Sequence, residues 1–245
     1  MRHFGIIGYP LVQSFSAKYF NEKFSREAIG AEYSLYPLKE LTAERMNELL
    51  DRLDGMNVTM PYKQAVIPYL DRLDATAAAV GAVNVVHRRV GYNTDCLGFI
   101  QSIRRLITPA DRCALVLGTG GASKAARYGL ESLGIEVQMV SRTPQEGMVR
   151  YEDLTQELIE AHTVIVNATP LGMYPDIETC PPLPYQWIGG KHLLFDCVYN
   201  PEETLFLARG KARGARTVNG LGMLYGQADE AWKIWEPVQN RSKKH

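Results

Sequence analysis

The sequence predicts an α/β protein, an N-terminal α/β unit followed by a doubly wound parallel sheet, and three observations carry that reading. Short apolar, β-branched runs alternate with segments of helical periodicity along most of the chain, the pattern of strands covered by helices. A glycine-rich turn, Gly118-Thr119-Gly120-Gly121, parts a strand from a helix in mid-chain. The length of 245 residues, 46% of them hydrophobic, supplies apolar mass for one large or two small cores.

Taken in order, His3–Gly8 reads as a strand and Ala17–Ile29 as a helix with Tyr19, Phe20 and Phe24 on one face. Glu32–Leu38 and Met56–Met60 read as strands around a helix from about Thr42 to Leu53. Ala82–Val90 reads as one further strand after a short alanine-rich helix. In the second block Leu115-Val116-Leu117 is a strand, a helix opens at Ser123-Lys124-Ala125-Ala126, and Ile135–Val140 is the next strand. Thr163–Asn167, His192–Val198 and Arg216–Asn219 continue the series, and Leu221–Trp235 closes it as a helix with Trp232 and Trp235 as packing residues. Alternation of this kind implies parallel sheets with helices on both faces. The proline-rich stretch Tyr174–Pro184 reads as an extended surface loop, and Asn240–His245 as a frayed polar tail.

Bulk chemistry excludes several classes. Lys plus Arg equals Asp plus Glu at 27 each, so nothing points to nucleic acid or an anionic membrane as a partner. No apolar run approaches the roughly 20 residues of a membrane span, and no signal peptide is evident. Cys96, Cys113, Cys180 and Cys197 are isolated, the five histidines are scattered, and neither set has metal-ligand spacing. A cytoplasmic protein with reduced thiols and no metal is expected.

The glycine turn carries the first chemistry. A strand, a tight turn and a helix start present free backbone N–H groups and a positive helix end to a pyrophosphate, and a side chain there would block the approach. Gly118, Gly120, Gly121, Ala122 and Ser123 are the candidate contacts, with Ser123 where a third glycine often stands. About twenty residues on, at the end of the next strand, an NAD site carries an acid for the ribose hydroxyl. Here Ser141, Arg142 and Thr143 stand instead. A guanidinium between hydroxyls suits a 2′-phosphate, so NADP is the expected cofactor and NAD the weaker one. The plain alternative is a solvated arginine in a β-to-α loop.

Ligands of open sheets bind outside the carboxyl ends of the strands. That rule picks out Gly8–Pro10, Asn57–Lys63, Asn93–Asp95, Asn167–Pro170, Val198–Pro201 and Asn219–Met223, all rich in polar side chains.

Read together and in order, these segments resemble the shikimate dehydrogenase family over nearly the whole chain. Gly8-Tyr9-Pro10 with Ser14-Phe15-Ser16 looks like its Gly-x-Pro and Ser-x-Ser segment, and Asn57–Lys63 like its Asn-Val-Thr-x-Pro-x-Lys motif. Gly81–Asn84, Gly91–Gly98, Asn167–Met173, Asp196–Pro201 and Asn219–Leu224 with Gln227 match further blocks. The resemblance implies reversible NADPH-dependent reduction of 3-dehydroshikimate to shikimate in aromatic amino-acid (chorismate) biosynthesis, by a monomer or homodimer. It implies that Ser14 and Ser16 hold the substrate carboxylate, and that Thr59, Asn84, Asp95 and Gln227 hold the ring hydroxyls with Tyr199 nearby. Lys63 and Asp95 would form the catalytic pair. Asn167, Thr169, Val198 and Gly220 would join the cofactor site, with Met223 against the nicotinamide. The implied division is 1–97 plus about 221–245 for substrate and 98–220 for NADP.

Residue chemistry agrees with these roles. Two hydroxyls on a loop before a helix suit a carboxylate, although helix capping explains serines equally well. Thr59, Asn84 and Gln227 mix donors and acceptors as a polyhydroxylated ring requires; their plain alternative is turn and strand-end bonding. A positioned lysine ammonium stabilises or protonates the oxygen that gains charge in carbonyl reduction. Departures from the family pattern are Gln13 and Ala17 around the serines, Glu146 where a second basic residue is frequent, and Asp229 for a small residue. The rival readings are an NAD-using quinate/shikimate dehydrogenase and a catalytically inactive dinucleotide-binding protein. The latter would be expected to lack Lys63 or Asp95, and both are present.

Overall fold

A computed structural model describes residues 1–12 and 14–236. The expected tail Asn240–His245 and the departure at Gln13 lie outside the described residues. The chain divides into two compact units, Met1–Thr94 with the segment from Gln227 onward, and Asp95–Gly226. The divisions fall at Thr94/Asp95 and Gly226/Gln227 rather than at 97/98 and 220/221.

The first unit runs β1 (Arg2–Gly8), α1 (Phe15–Arg26), β2 (Ala31–Pro37), α2 (Ala43–Arg52), β3 (Gly55–Val58), α3 (Tyr62–Ala65), β4 (Arg72–Leu73), α4 (Ala75–Val80), β5 (Val85–His87) and β6 (Val90–Tyr92). These strands form one six-stranded sheet in the order β2-β1-β3-β5-β6-β4. The sheet is mixed: β1 is parallel to β2 and β3, but β5 is antiparallel to both β3 and β6. Two expectations are corrected here. Ala82–Val90 is not one strand, because the chain reverses at Arg88-Arg89, whose φ angles of 48° and 59° make a tight hairpin turn. The sheet is therefore not all-parallel. Side chains alternate across it. Ile7, Met56, Val58 and Val86 pack on Met46 and Leu49 of α2, while Phe4, Ile6 and Val85 pack on Phe20 and Phe24 of α1.

The second unit runs α5 (Asp95–Ile103), β7 (Cys113–Leu117), α6 (Gly121–Ser132), β8 (Glu136–Val140), α7 (Gln156–Ala161), β9 (Val164–Asn167), β10 (Leu193–Asp196), α8 (Leu205–Ala212), β11 (Arg216–Val218) and α9 (Leu221–Trp235). From Gln227 onward α9 belongs to the first unit, where Ala228, Ala231 and Trp235 join Phe20 and Phe24. Five parallel strands lie in the order β11-β10-β9-β7-β8, a doubly wound sheet whose order reverses between β7 and β9. Register sorts the core by layers. Ala114, Val164 and Leu193 are neighbours on one face with Val116, Val166 and Phe195; Leu115, Ile165 and Leu194 line the other. No α-helix joins β9 to β10, only a short 3-10 turn over Tyr185–Trp187. Leu183, Tyr185 and Ile188 of that irregular connection cover the sheet in its place, so the expected surface loop is partly core.

Candidate active site

In the first unit the polar side chains gather where β1 and β3 end. Because β5 runs antiparallel, its start, Asn84, arrives at the same end, as does the segment after β6. Val58 N donates to Asn84 O at 2.9 Å, and Asn84 N donates to Tyr92 O at 3.0 Å. The loops after β1 and β3 brace each other through Tyr9 N and Met60 O at 3.1 Å. Gly8 is required there, since a Cβ would lie 2.4 Å from Thr59 Cγ2.

Ser14 is the N-cap residue of α1 by its extended backbone, yet its hydroxyl makes no cap bond, so capping does not account for it. Ser16 is corrected from the loop to the first turn of α1, where it is buried. Thr59 follows β3, its N–H donating to Ile7 O at 2.9 Å. Lys63 lies in α3, half-buried, and its carbonyl accepts Val83 N at 2.7 Å, which ties the lysine to the segment leading into Asn84. Asn84 is the hub. Its amide donates to Thr94 Oγ1 at 2.9 Å and to Gln227 Oε1 at 3.4 Å, and its Oδ1 accepts Thr94 N at 2.7 Å. Asn84, Thr94 and Gln227 are all buried. Asp229 accepts a very short hydrogen bond from Tyr19.

In the second unit the groups lie at the ends of parallel strands. Gly118 has φ +106°, and a Cβ there would meet Ser123 Oγ at 3.0 Å, Thr169 Cγ2 at 3.1 Å and Ala168 O at 3.2 Å. The helix α6 starts without a side-chain cap and without an acid in its first turn, so its N–H groups face outward with positive potential. Ser123 Oγ is buried there with no partner among the described residues. A turn whose Gly118 adopts a left-handed backbone with no easy room for a Cβ, an uncapped helix start and an orphaned hydroxyl fit a bound phosphate group. Ser141 is buried and accepts Thr143 N at 3.1 Å, while Arg142 and Thr143 are exposed. Among the described residues Glu146 forms no ion pair with Arg142.

Beneath this end sits a carboxylate that carried no expected role. Asp196 is fully buried; Thr204 Oγ1 donates to it at 2.6 Å, Val198 N at 2.9 Å and Asn167 Nδ2 at 3.0 Å. Burial dominates these bonds and pushes its carboxyl up to about 6. Asn167 Oδ1 in turn accepts Thr169 Oγ1 at 2.7 Å, so one network sets the ends of β9 and β10. Gly220 N donates to Val198 O at 3.1 Å, and a Cβ at Gly220 would lie 2.3 Å from Cys197 O. Tyr199 is exposed after β10, and burial of its ring still raises its phenol. Met223 is buried among Phe99, Val116, Val166 and Phe195. Asp95 is the buried first residue of α5.

Residues 6–86 match the model of the shikimate dehydrogenase substrate binding domain. Shikimate dehydrogenase (NADP(+)) from Geobacillus kaustophilus is 37% identical over 98% of this chain and 95% of its own. The chain belongs to the shikimate dehydrogenase family. Among solved structures, shikimate 5-dehydrogenase from Thermus thermophilus, in complex with NADP(H) and shikimate, superposes with a TM-score of 0.86. It is 30% identical over 97% of this chain and 94% of its own. Quinate dehydrogenase from Corynebacterium glutamicum, in complex with NAD, gives 0.85 at 25% identity over 97% of this chain and 94% of its own. This family's fold is thus shared by proteins with different names for substrate and cofactor, and residues rather than topology must discriminate.

Two buried groups of this family member went unassigned from sequence. Asp196 and Asn57 lie in segments that carry the resemblance, and their polarity inside apolar strands was the available signal. Tyr33, a buried residue of β2 whose hydroxyl donates to Asn57 Oδ1 at 2.6 Å, gave no signal at all.

Proposed function

We propose that the protein is a shikimate dehydrogenase, catalysing the reversible NADPH-dependent reduction of 3-dehydroshikimate to shikimate. The observation that carries the reading is family membership over nearly the whole chain with Lys63, Asp95, Asn84 and Gln227 all in place. Ser14 and Ser16 bind the substrate carboxylate, and Thr59, Asn84, Asp95 and Gln227 bind the ring hydroxyls beside Tyr199. The glycine turn with Ala122 and Ser123, together with Asn167, Thr169, Val198, Gly220 and Met223, holds the dinucleotide. Ser141, Arg142 and Thr143 hold its 2′-phosphate, which makes NADP the preferred cofactor and NAD the weaker. When bound, that cofactor supplies the hydride. Lys63, paired with Asp95, directs its ammonium to the oxygen that gains electron density, stabilising or protonating it. Asp95 orients the ammonium and accepts a bond from a substrate hydroxyl. The enzyme acts in the cytoplasm, as a monomer or homodimer and without metal, within the chorismate route to aromatic amino acids.

The test is a matrix of shikimate and quinate against NADP and NAD, following reduced nicotinamide absorbance. Efficient turnover is expected with shikimate and NADP alone. Quinate differs at the carbon bearing the carboxylate, where it is tetrahedral and hydroxylated, and that hydroxyl meets the Ser14–Ser16 grip without an assigned partner. Matching efficiency with quinate and NAD would replace this reading by the quinate/shikimate alternative, and no turnover at all would favour an inactive binding protein.

A further inference from the structure

The Asp196 carboxylate stands at the end of β10, and nothing in the proposed chemistry uses it. It is fully buried among three donors: Val198 N at 2.9 Å and Asn167 Nδ2 at 3.0 Å on Oδ1, and Thr204 Oγ1 at 2.6 Å on Oδ2. Burying a carboxylate is costly, so packing alone does not account for it. What it fixes is the orientation of a neighbour. An amide can be set either way round, and only one setting fits at Asn167. The Asn167 nitrogen faces two acceptors, Asp196 Oδ1 and the Leu171 carbonyl at 3.3 Å. The Asn167 oxygen faces Thr169 N at 3.1 Å, which can only donate. With the amide so set, Thr169 Oγ1 gives its proton to Asn167 Oδ1 at 2.7 Å and accepts Leu171 N at 3.3 Å. The Thr169 methyl is thereby turned to the glycine turn, where a Gly118 Cβ would meet it at 3.1 Å. On the other side Asn167 O accepts Cys197 N at 2.8 Å, so the ends of β9 and β10 are held to each other.

We infer that Asp196 is a positioning residue for the dinucleotide: through Asn167 it sets Thr169 against the glycine turn, and through Val198 N it sets the segment after β10. Asp196 is buried and acts through these groups. Thr204 holds the carboxylate in its turn, since its hydroxyl donates to Oδ2 and also caps α8 by accepting Leu207 N at 3.4 Å. The inference deepens the proposed function and rests on its assignment of the glycine turn, Asn167, Thr169 and Val198 to the dinucleotide. It adds a distinction within that site. The Asp196 bonds lie beside the turn assigned to the pyrophosphate, whereas the 2′-phosphate is assigned to Ser141–Thr143, just after β8. Loss of Asp196 should therefore weaken NADP and NAD alike.

The experiment compares Asp196→Ala and Asp196→Asn in the full chain, with Kd for NADPH and NADH from nicotinamide fluorescence titration, and with Tm. Work at about pH 8 keeps the carboxyl, raised to about 6, in its ionised form. Asp196→Ala strips Val198 N and Asn167 Nδ2 of a charged acceptor, and both Kd values should rise by the same factor, on the order of tenfold. Adenosine 2′,5′-bisphosphate carries the 2′-phosphate but neither pyrophosphate nor nicotinamide, so its Kd, read by displacement, should not change. Asp196→Asn keeps an oxygen for Val198 N and Asn167 Nδ2 and offers its nitrogen to Thr204 Oγ1, so it should restore both Kd values close to those of the unmutated protein. Thr204→Val takes the donor from Oδ2 and leaves Oδ1 bonded. It should raise both Kd values by a smaller factor, and it keeps the inference testable if Asp196→Ala does not fold. A fall in Tm with Kd unchanged, a loss confined to NADPH, or an Asp196→Asn protein as impaired as Asp196→Ala would overturn the inference. Failure of the parent reading looks different: the unmutated protein would then bind neither dinucleotide.

Discussion

The two units build the polar ends of their sheets by opposite means. In the first, the candidate groups are side chains wired to one another: Tyr33, Asn57, Asn84, Thr94 and Gln227 form a nearly continuous line of donors and acceptors. In the second, the candidate groups are backbone, Gly118, Gly120 and the open start of α6, where Ser123 has the one side-chain polar atom buried without a partner among the described residues. The difference follows ligand chemistry. A small ring with several hydroxyls presents directional donors and acceptors at fixed spacing, so it needs side chains whose own orientation is settled beforehand. A pyrophosphate is an anion with many equivalent oxygens, which N–H groups and a helix end satisfy without a side chain.

The largest expected effect breaks the first unit's end at Lys63. Lys63→Ala should cut kcat on the order of 10²-fold or more, the scale of a lost general acid. KM for shikimate should move far less, because ground-state binding is spread over several hydroxyl contacts. Steady-state kinetics decide it, and near-normal turnover would move the catalytic assignment away from Lys63.

A smaller effect separates backbone from side chain within the second unit. Arg142→Ala should raise KM for NADP on the order of tenfold or more, since hydrogen bonds to charged groups are worth about 1.5–3 kcal/mol. KM for NAD should hardly change, because in the proposed site the pyrophosphate rests on the glycine turn, which this substitution leaves alone. Equal losses with the two cofactors would mean that Arg142 does not read the 2′-phosphate.

How much of this was legible follows the same contrast. Strands buried on both faces read as uninterrupted apolar runs, so Leu115–Leu117 and Ile165–Val166 stood out, and Leu221–Trp235 was bounded as observed. The β5–β6 hairpin was not legible. Its turn is Arg88-Arg89, without the Asn-Gly or Gly that marks such turns, and the apolar residues on either side merge into one run. Missing that reversal hid why Asn84 reaches the site, since it comes from the start of an antiparallel strand. The glycine turn was legible because backbone recognition demands glycine and leaves a local mark. The buried Tyr33–Asn57 bond was not, because it depends on β2 and β3 both pairing with β1, a long-range fact.

The smallest effect tests the one ionisable group buried under the second unit's strand ends. The Asp196 carboxyl is raised from 3.8 to about 6, and burial outweighs its bonds from Thr204, Val198 and Asn167. A folded value above the unfolded one means that the folded protein holds this proton more tightly. Its contribution to stability is therefore greatest below about pH 4, declines as pH rises through the window from 3.8 to about 6, and stays low above it. The full difference is on the order of 2–3 kcal/mol by linkage. Asp196→Asn keeps an oxygen for Val198 N and Asn167 Nδ2 and removes the titration. Subtracting the variant's stability from that of the unmutated protein, by denaturant unfolding between pH 4 and 8, should leave a curve that falls with pH and then levels. A difference that rises with pH would mean that the network favours the carboxylate over the acid. Asp196 would then resemble the first unit's line of bonds, where hydrogen bonding settles the state of each group, and the contrast between the two units would be confined to the glycine turn.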